Sequence, residues 1–204
     1  SSSFSSNPSP TSRVIYMKLL KYENAKLKQQ FIFTLPASKE VCGRLCSGCY
    51  AHKAQVRFPK TVLPYRESML AASQADSFVT TIVAELNSTR RASRTVRIHE
   101  SGDFYSQEYL DKWVTIAQSS PSFTFYAFTK RIKDFDFTTA KSLSNFIVID
   151  SLQSGKLNYG KLSTLDQSKF ICPSTLGQPV VCGQSCRYCM TKAAQHETPQ
   201  FVQH

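Results

Sequence analysis

The chain has 204 residues, 41% of them apolar, enough for one domain with a sizeable core. Its 25 Lys and Arg against 14 Asp and Glu give a formal charge of +11, which points toward nucleic acid or another polyanion and away from basic partners. No apolar run is long enough to span a bilayer, which argues against a helical membrane protein.

Taken in order, residues 1–12 are rich in Ser and read as a disordered arm or a cloning remnant. They lack the apolar core of a secretion signal, so the expected setting is the cytoplasm. Residues 13–204 read as a single domain. Val14 to Lys28 carries four lysines around scattered apolar positions. Gln29 to Leu35 predicts a strand, and Pro64 to Leu86 a helix in two pieces, the second capped by Asp76 or Ser77. Arg90, Arg91, Arg94 and Arg97 form a basic connector. Thr95 to His99 predicts a strand, Tyr105 to Gln118 an amphipathic helix with Trp113 on its apolar stripe, and Ser122 to Phe128 a strand. The alternation of Phe123, Phe125, Tyr126 and Phe128 places at least half of them in the core, with base stacking as the alternative role. A short helix (Thr138 to Ser144), a buried strand (Asn145 to Asp150), a polar loop (Ser151 to Asp166) and a last strand (Ser168 to Cys172) complete the series. Strands alternating with helices predict an α/β fold with parallel strands.

Polar residues follow each strand: Glu100-Ser101-Gly102-Asp103, then Thr129-Lys130-Arg131, then Asp150-Ser151. In α/β folds the carboxyl ends of strands are where sites are built. Lys130 and Arg131 are candidates for holding an anionic substrate or phosphate, with ordinary surface charge as the equal alternative. His99 is expected to satisfy a polar neighbour rather than to contact substrate.

One motif is written twice. Val41-Cys42-Gly43-Arg44-Leu45-Cys46-Ser47-Gly48-Cys49 and Val181-Cys182-Gly183-Gln184-Ser185-Cys186-Arg187-Tyr188-Cys189 share the pattern Val-Cys-Gly-x2-Cys-x2-Cys, and each is followed by Ala-Gln at the same distance. Clustered cysteines in a cytoplasmic protein mean metal more often than disulfides. Three thiolates can hold three irons of a [4Fe–4S] cubane and leave the fourth open to a ligand. The second copy gains Cys172 as a fourth ligand, so Cys172, Cys182, Cys186 and Cys189 suit a closed [4Fe–4S] cluster or structural zinc. That site is expected to brace the two ends of the chain.

The Cys-x3-Cys-x2-Cys spacing resembles that of radical S-adenosylmethionine (SAM) enzymes, as does Ser101-Gly102-Asp103 after the second strand. More closely, the chain is similar to a radical-SAM-like group of unknown function found mainly in bacteriophages. The matching stretches include Asn24-Ala25-Lys26-Leu27, Leu35-Pro36-Ala37, Cys49-Tyr50-Ala51, Val96-Arg97-Ile98-His99, Ser101 to Ser106 and Phe125 to Lys130. The resemblance implies an incomplete (β/α) barrel, a shortened radical SAM core of about five strands with a C-terminal cysteine-rich segment. It implies a cluster on Cys42, Cys46 and Cys49 that passes one electron to SAM, whose methionine end lies on Ser101, Gly102 and Asp103. The resulting 5′-deoxyadenosyl radical would take hydrogen from a nucleic acid or nucleotide, in the host cytoplasm if the gene is a phage's. The alternative is a non-catalytic nucleic-acid- or polymerase-binding protein whose clusters are structural or redox-sensing. Gly48, where radical SAM proteins commonly place an aromatic, favours that alternative.

Overall fold

The computed structural model describes residues 17–44, 46–152 and 156–203. The arm expected at residues 1–12 lies outside them. Five strands form the main sheet: β1 (Lys21–Tyr22), β2 (Phe31–Ile32), β3 (Thr95–Ile98), β4 (Thr124–Thr129) and β5 (Phe146–Asp150), side by side in chain order. β1 pairs antiparallel with β2, and every other pairing is parallel. The β2–β3 ladder continues beyond its regular pairs, since Phe33 N–H donates to the Arg97 carbonyl and Leu35 N–H to the Ser101 carbonyl.

The helices are α1 (Lys39–Cys42), α2 (Tyr50–Arg57), α3 (Val62–Gln74), α4 (Phe78–Ser88), α5 (Gln107–Ser119), α6 (Thr138–Ser142) and α7 (Ala193–His196). α5 shows why such segments are helical. Ser106 Oγ caps it by accepting from Tyr109 N–H at 3.1 Å, and Tyr109, Leu110, Trp113, Val114, Ile116 and Ala117 form its buried side. The expected two-piece helix is α3 and α4, interrupted at Ala75-Asp76-Ser77.

Alternation along the strands divides the sheet into two faces. Phe31, Phe33, Val96, Ile98, Phe125, Ala127, Phe146 and Val148 face α3 to α6 and build the main core, with Trp113 fully buried in it. Tyr126, Ile147 and Ile149 face the other way, where Met190, Ala194, Tyr188, Cys182 and Cys189 cover them. The C-terminal cysteine segment therefore forms the second layer over the sheet. Two short strands, β6 (Tyr159–Gly160) and β7 (Phe201–Val202), pair separately.

The fold is thus mixed α/β with a five-stranded, mostly parallel sheet, and the sheet does not close into a barrel. Side chains occupy the free edge of β5: Gln195 Oε1 accepts from Val148 N–H at 3.1 Å, and Lys192 Nζ donates to the Phe146 carbonyl at 2.7 Å. These partners satisfy backbone groups that a further strand would otherwise pair.

Three sequence expectations need correction. Ser168 to Cys172 is not a strand but a single bridge between Ile171 and Gln200. The Ser151 to Asp166 stretch includes β6 and a turn of 3-10 helix over Leu162–Thr164 (residues 153–155 lie outside the description). Arg97, counted both in the basic connector and in the strand, belongs to β3 alone, and its side chain stands on the sheet's second face, over the rings of Phe128 and Tyr126.

Candidate metal and ligand site

The carboxyl ends of the parallel strands open into a cavity of about 170 Å³. Cys42, Cys46, Cys49, Ser101, Gly102, Asp103 and Lys130 all line it, so seven of the residues singled out from the sequence share one cleft. Local geometry explains how the cysteines reach it. Ser38 Oγ caps α1 by accepting from Val41 N–H at 3.3 Å, and Gly43 ends that helix with φ +72°. Cys42 is therefore the last residue of α1, and Cys49 precedes the first residue of α2. Between them the chain turns back, with Cys49 N–H donating to the Cys46 carbonyl at 3.1 Å. All seven cysteines are free thiols.

The second motif copy lies apart from this cleft. Lys28 N–H donates to the Cys182 carbonyl at 3.0 Å, just before β2. Gln30 Nε2 points at Cys182 Sγ across 4.0 Å, and Gln30 Oε1 accepts from the Tyr126 hydroxyl. Burial pushes Cys189 up to about 12, the nearby Arg97 charge opposes this, and Cys182, Cys172 and Cys186 add to the rise. The four C-terminal thiols are thus close enough to feel one another. The aromatic of this copy, Tyr188, stacks on Phe170 with centroids 3.8 Å apart, and its hydroxyl donates to the Glu197 carbonyl. It anchors the segment. Among the described residues, no three His, Cys, Asp or Glu side chains converge as they would on a single metal ion.

The Ala-Gln pair after each copy has the same use in both places. Gln55 Oε1 accepts from Ala37 N–H at 3.0 Å, as Gln195 Oε1 does from Val148 N–H. Each glutamine ties the helix after a cysteine loop to backbone of the neighbouring segment.

Arg44, Arg97, Glu100, Asp103 and Lys130 bring charge to the cleft, and the last two have partners that fix their roles. Lys130 Nζ donates to Cys46 Sγ at 3.1 Å. Burial pulls Lys130 down, but the hydrogen bond to Cys46 and the field of that thiol outweigh it, leaving the lysine raised. Cys42 is pushed up to about 11, first by burial and then by Asp103 and the neighbouring thiols. Asp103 is buried at the floor: Oδ1 accepts from Phe104 N–H and Thr129 Oγ1, and Oδ2 from Lys130 N–H. These bonds latch the loop after β3 to the end of β4. Of roughly four acceptor positions on a carboxylate, one remains open.

Arg131 turns away from the cleft. It pairs with Asp134 at 2.7 Å and donates to the carbonyls of Phe104 and Val41, so it braces the first cysteine loop. It lines a neighbouring cavity of about 400 Å³ with Gly43, Arg44 and Lys133.

Two buried polar atoms of cleft-lining residues have no partner among the described residues: His99 Nδ1 and Ser101 Oγ, each on a residue 3% exposed. Such atoms are costly unless a ligand or water meets them. His99 also holds a positive φ of +66°, rare for a side-chain-bearing residue. Its Nε2 is paired with the Tyr109 hydroxyl at 2.8 Å, as expected of a satisfied histidine, while its other nitrogen is not. From the sequence, His99 is expected first to satisfy a polar neighbour, with substrate contact as the lesser alternative, and Arg97 falls in both the basic connector and the Thr95 to His99 strand. Alternation with Val96 and Ile98 sets Arg97 on the second face, whereas His99, just past β3, turns at its positive φ and lays its ring against Phe104 and Tyr109 of the main core.

His99 also makes a pH prediction. Burial, reinforced by the Arg97 charge, pushes it down from 6.5 to about 3. It stays neutral in the fold and takes up a proton on unfolding below 6.5, so stability is lost as pH falls from there toward 3. Asp103 has the opposite sign, because burial raises it from 3.8 to about 6 and its contribution fades as pH rises through that range. In denaturant melts at pH 7 and pH 5, the native protein should lose about 2 kcal/mol more than His99→Gln. Equal losses would contradict a histidine held neutral.

The fold and the site together define a mixed α/β protein with three cysteines in a cleft at the carboxyl edge of a parallel sheet and four more beside its second face. The chain belongs to the gene product 88 family, whose family model matches residues 16–174. It is similar to the gene 88 protein of Mycobacterium phage L5, with 26% identity over 103 residues, which make up 48% of this chain and 43% of that protein. The match spans less than half of that relative's length. No solved structure matches the chain.

Proposed function

We propose that this phage-family protein is a radical-SAM-like iron–sulfur protein acting on a nucleic acid or nucleotide in the host cytoplasm. The observation that carries the reading is the cleft itself. It brings together three free thiols, the Ser101-Gly102-Asp103 segment and two unpaired buried polar atoms where α/β folds hold ligands.

The donor set suits the group. Ligand sulfurs around one zinc lie roughly 4 Å apart, from Zn–S distances near 2.3 Å in a tetrahedron. One group of three cysteines and one of four match the ligand numbers of an open and a closed [4Fe–4S] cluster, on Cys42, Cys46 and Cys49 and on Cys172, Cys182, Cys186 and Cys189. Zinc at the second group is the alternative. Held there, a cluster with an open iron would supply one electron to SAM.

The chain's own residues do the rest. Gly102, at φ +86°, has no room for a Cβ, which would stand 2.6 Å from Leu35 Cβ. It lets the segment turn under the cleft and present Ser101 Oγ and the remaining acceptor position of Asp103 to an amino group. His99 Nδ1 offers a further hydrogen bond. The Lys130 ammonium offsets negative charge at Cys46.

The test is SAM cleavage by anaerobically loaded, reduced protein. The native chain should release 5′-deoxyadenosine, and Cys46→Ser should release none. A fully loaded protein that releases none would leave the second reading, a binding protein with structural or redox-sensing clusters. The engaged state of Asp103 favours that reading, since most of its hydrogen-bonding capacity already serves the fold.

A further inference from the structure

α2, beside the cleft, is built opposite to an ordinary surface helix. The residue it buries is Gln55, while Val56 is 64% exposed, Tyr50 66% and the following Phe58 51%. A helix that only packs on a core does the reverse. Residues 41–66 contain no Asp or Glu, and Arg44, Lys53, Arg57 and Lys60 among them are exposed. Tyr50, Lys53 and Arg57 stand at helical spacing on one stripe. Lys26 Nζ lies 4.6 Å from the Tyr50 ring centroid, and the Arg57 guanidinium lies 5.5 Å from that of Phe58. Each aromatic thus has a cation beside it and much of its surface in solvent.

We infer that α2 and its C-terminal turn form a docking surface for single-stranded nucleic acid, leading a strand toward the cleft that Cys49 borders. The inference rests on the nucleic-acid part of the function proposed above and not on the metal. Cations along the stripe contact phosphates, and the open faces of Tyr50 and Phe58 receive unpaired bases. A duplex hides those base faces, and an acidic protein surface would leave the two aromatics without a stacking partner. Charge complementarity with exposed rings therefore selects the single strand.

The test is fluorescence anisotropy of the anaerobically loaded full chain with a labelled oligo(dT) of about 12 nucleotides, within the size range of single-strand sites. Tyr50→Ala should weaken binding about tenfold, as loss of one stacked base does. The double variant Lys53→Glu/Arg57→Glu should weaken it further and lower the salt slope by about 1.4, the share of two phosphate contacts. Iron content and melting temperature should stay at native values in both, because these side chains are exposed and ligate nothing. The inference is overturned if both variants bind as the native chain does, or if a blunt duplex of equal length binds as tightly as the single strand. Native protein that holds iron but binds no strand overturns it while leaving the cluster intact. Iron-free protein on which the variants behave as expected upholds it and removes the cluster instead.

Discussion

Protein loaded with iron and sulfide without oxygen should carry about eight irons per chain, and Cys46→Ser or Cys186→Ser should each remove about four. The two losses should differ in their effect on stability. Cys46 lies in a loop at the mouth of the cleft, and Lys130 is its hydrogen-bond partner. Its replacement leaves both faces of the sheet covered, so the melting temperature should change little. Cys186 belongs to the segment over Tyr126, Ile147 and Ile149. That segment has little regular structure of its own, and a metal on its cysteines would add to the packing of Met190 and Ala194 and the hydrogen bonds of Lys192 and Gln195, so Cys186→Ser should lower the melting temperature by several degrees. Four irons and one zinc in the native chain would give the second site to zinc, and no iron at all would sink both iron–sulfur readings.

Gly183→Ala should be among the most damaging single changes in the protein, costing about 3–5 kcal/mol from left-handed strain and overpacking together. Gly183 has φ +91°, and a Cβ there would stand 1.9 Å from the Lys28 carbonyl oxygen and 2.9 Å from Gln30 Nε2. The first atom is backbone at the entry to β2 and has nowhere to go. Gly177→Ala is the matched control. That glycine has φ +78° with nothing within 4 Å of the added carbon, so only the conformational cost of about 1–2 kcal/mol applies. Denaturant melts of the two variants give the comparison directly. Similar costs would mean that the cysteine loop does not press on Lys28 as described.

The core layer was legible from the sequence because its pattern is local. The α5 stripe and the strands at Thr95, Ser122 and Asn145 follow from apolar periods of 3.6 and 2. The repeated cysteine motif was legible from spacing, and its first copy lines the cleft. What stayed hidden depends on contacts between distant segments. α2 has no apolar stripe to announce it, since the residue it buries is a glutamine serving Ala37 N–H. Arg131, adjacent to Lys130, looked like a second ligand cation, yet it is consumed by Val41, Phe104 and Asp134. Asp103 looked like a ligand residue and also proves to be a latch to Thr129 and Lys130. A run of polar residues after a strand marks where a site lies, but only packing decides which of them remain free for a ligand.

The covering of the second sheet face by residues 182–194 has a consequence for synthesis. A chain emerging from the ribosome completes all five strands and the helices of the main core before this segment is made. Tyr126, Ile147 and Ile149 then wait uncovered, beside a β5 edge not yet met by Lys192 and Gln195. Until that segment docks, the newly made chain displays an apolar face and an unpaired strand edge, the features that chaperones and proteases recognise, so the time taken to make and seat residues 182–194 sets how long the chain stays exposed to them.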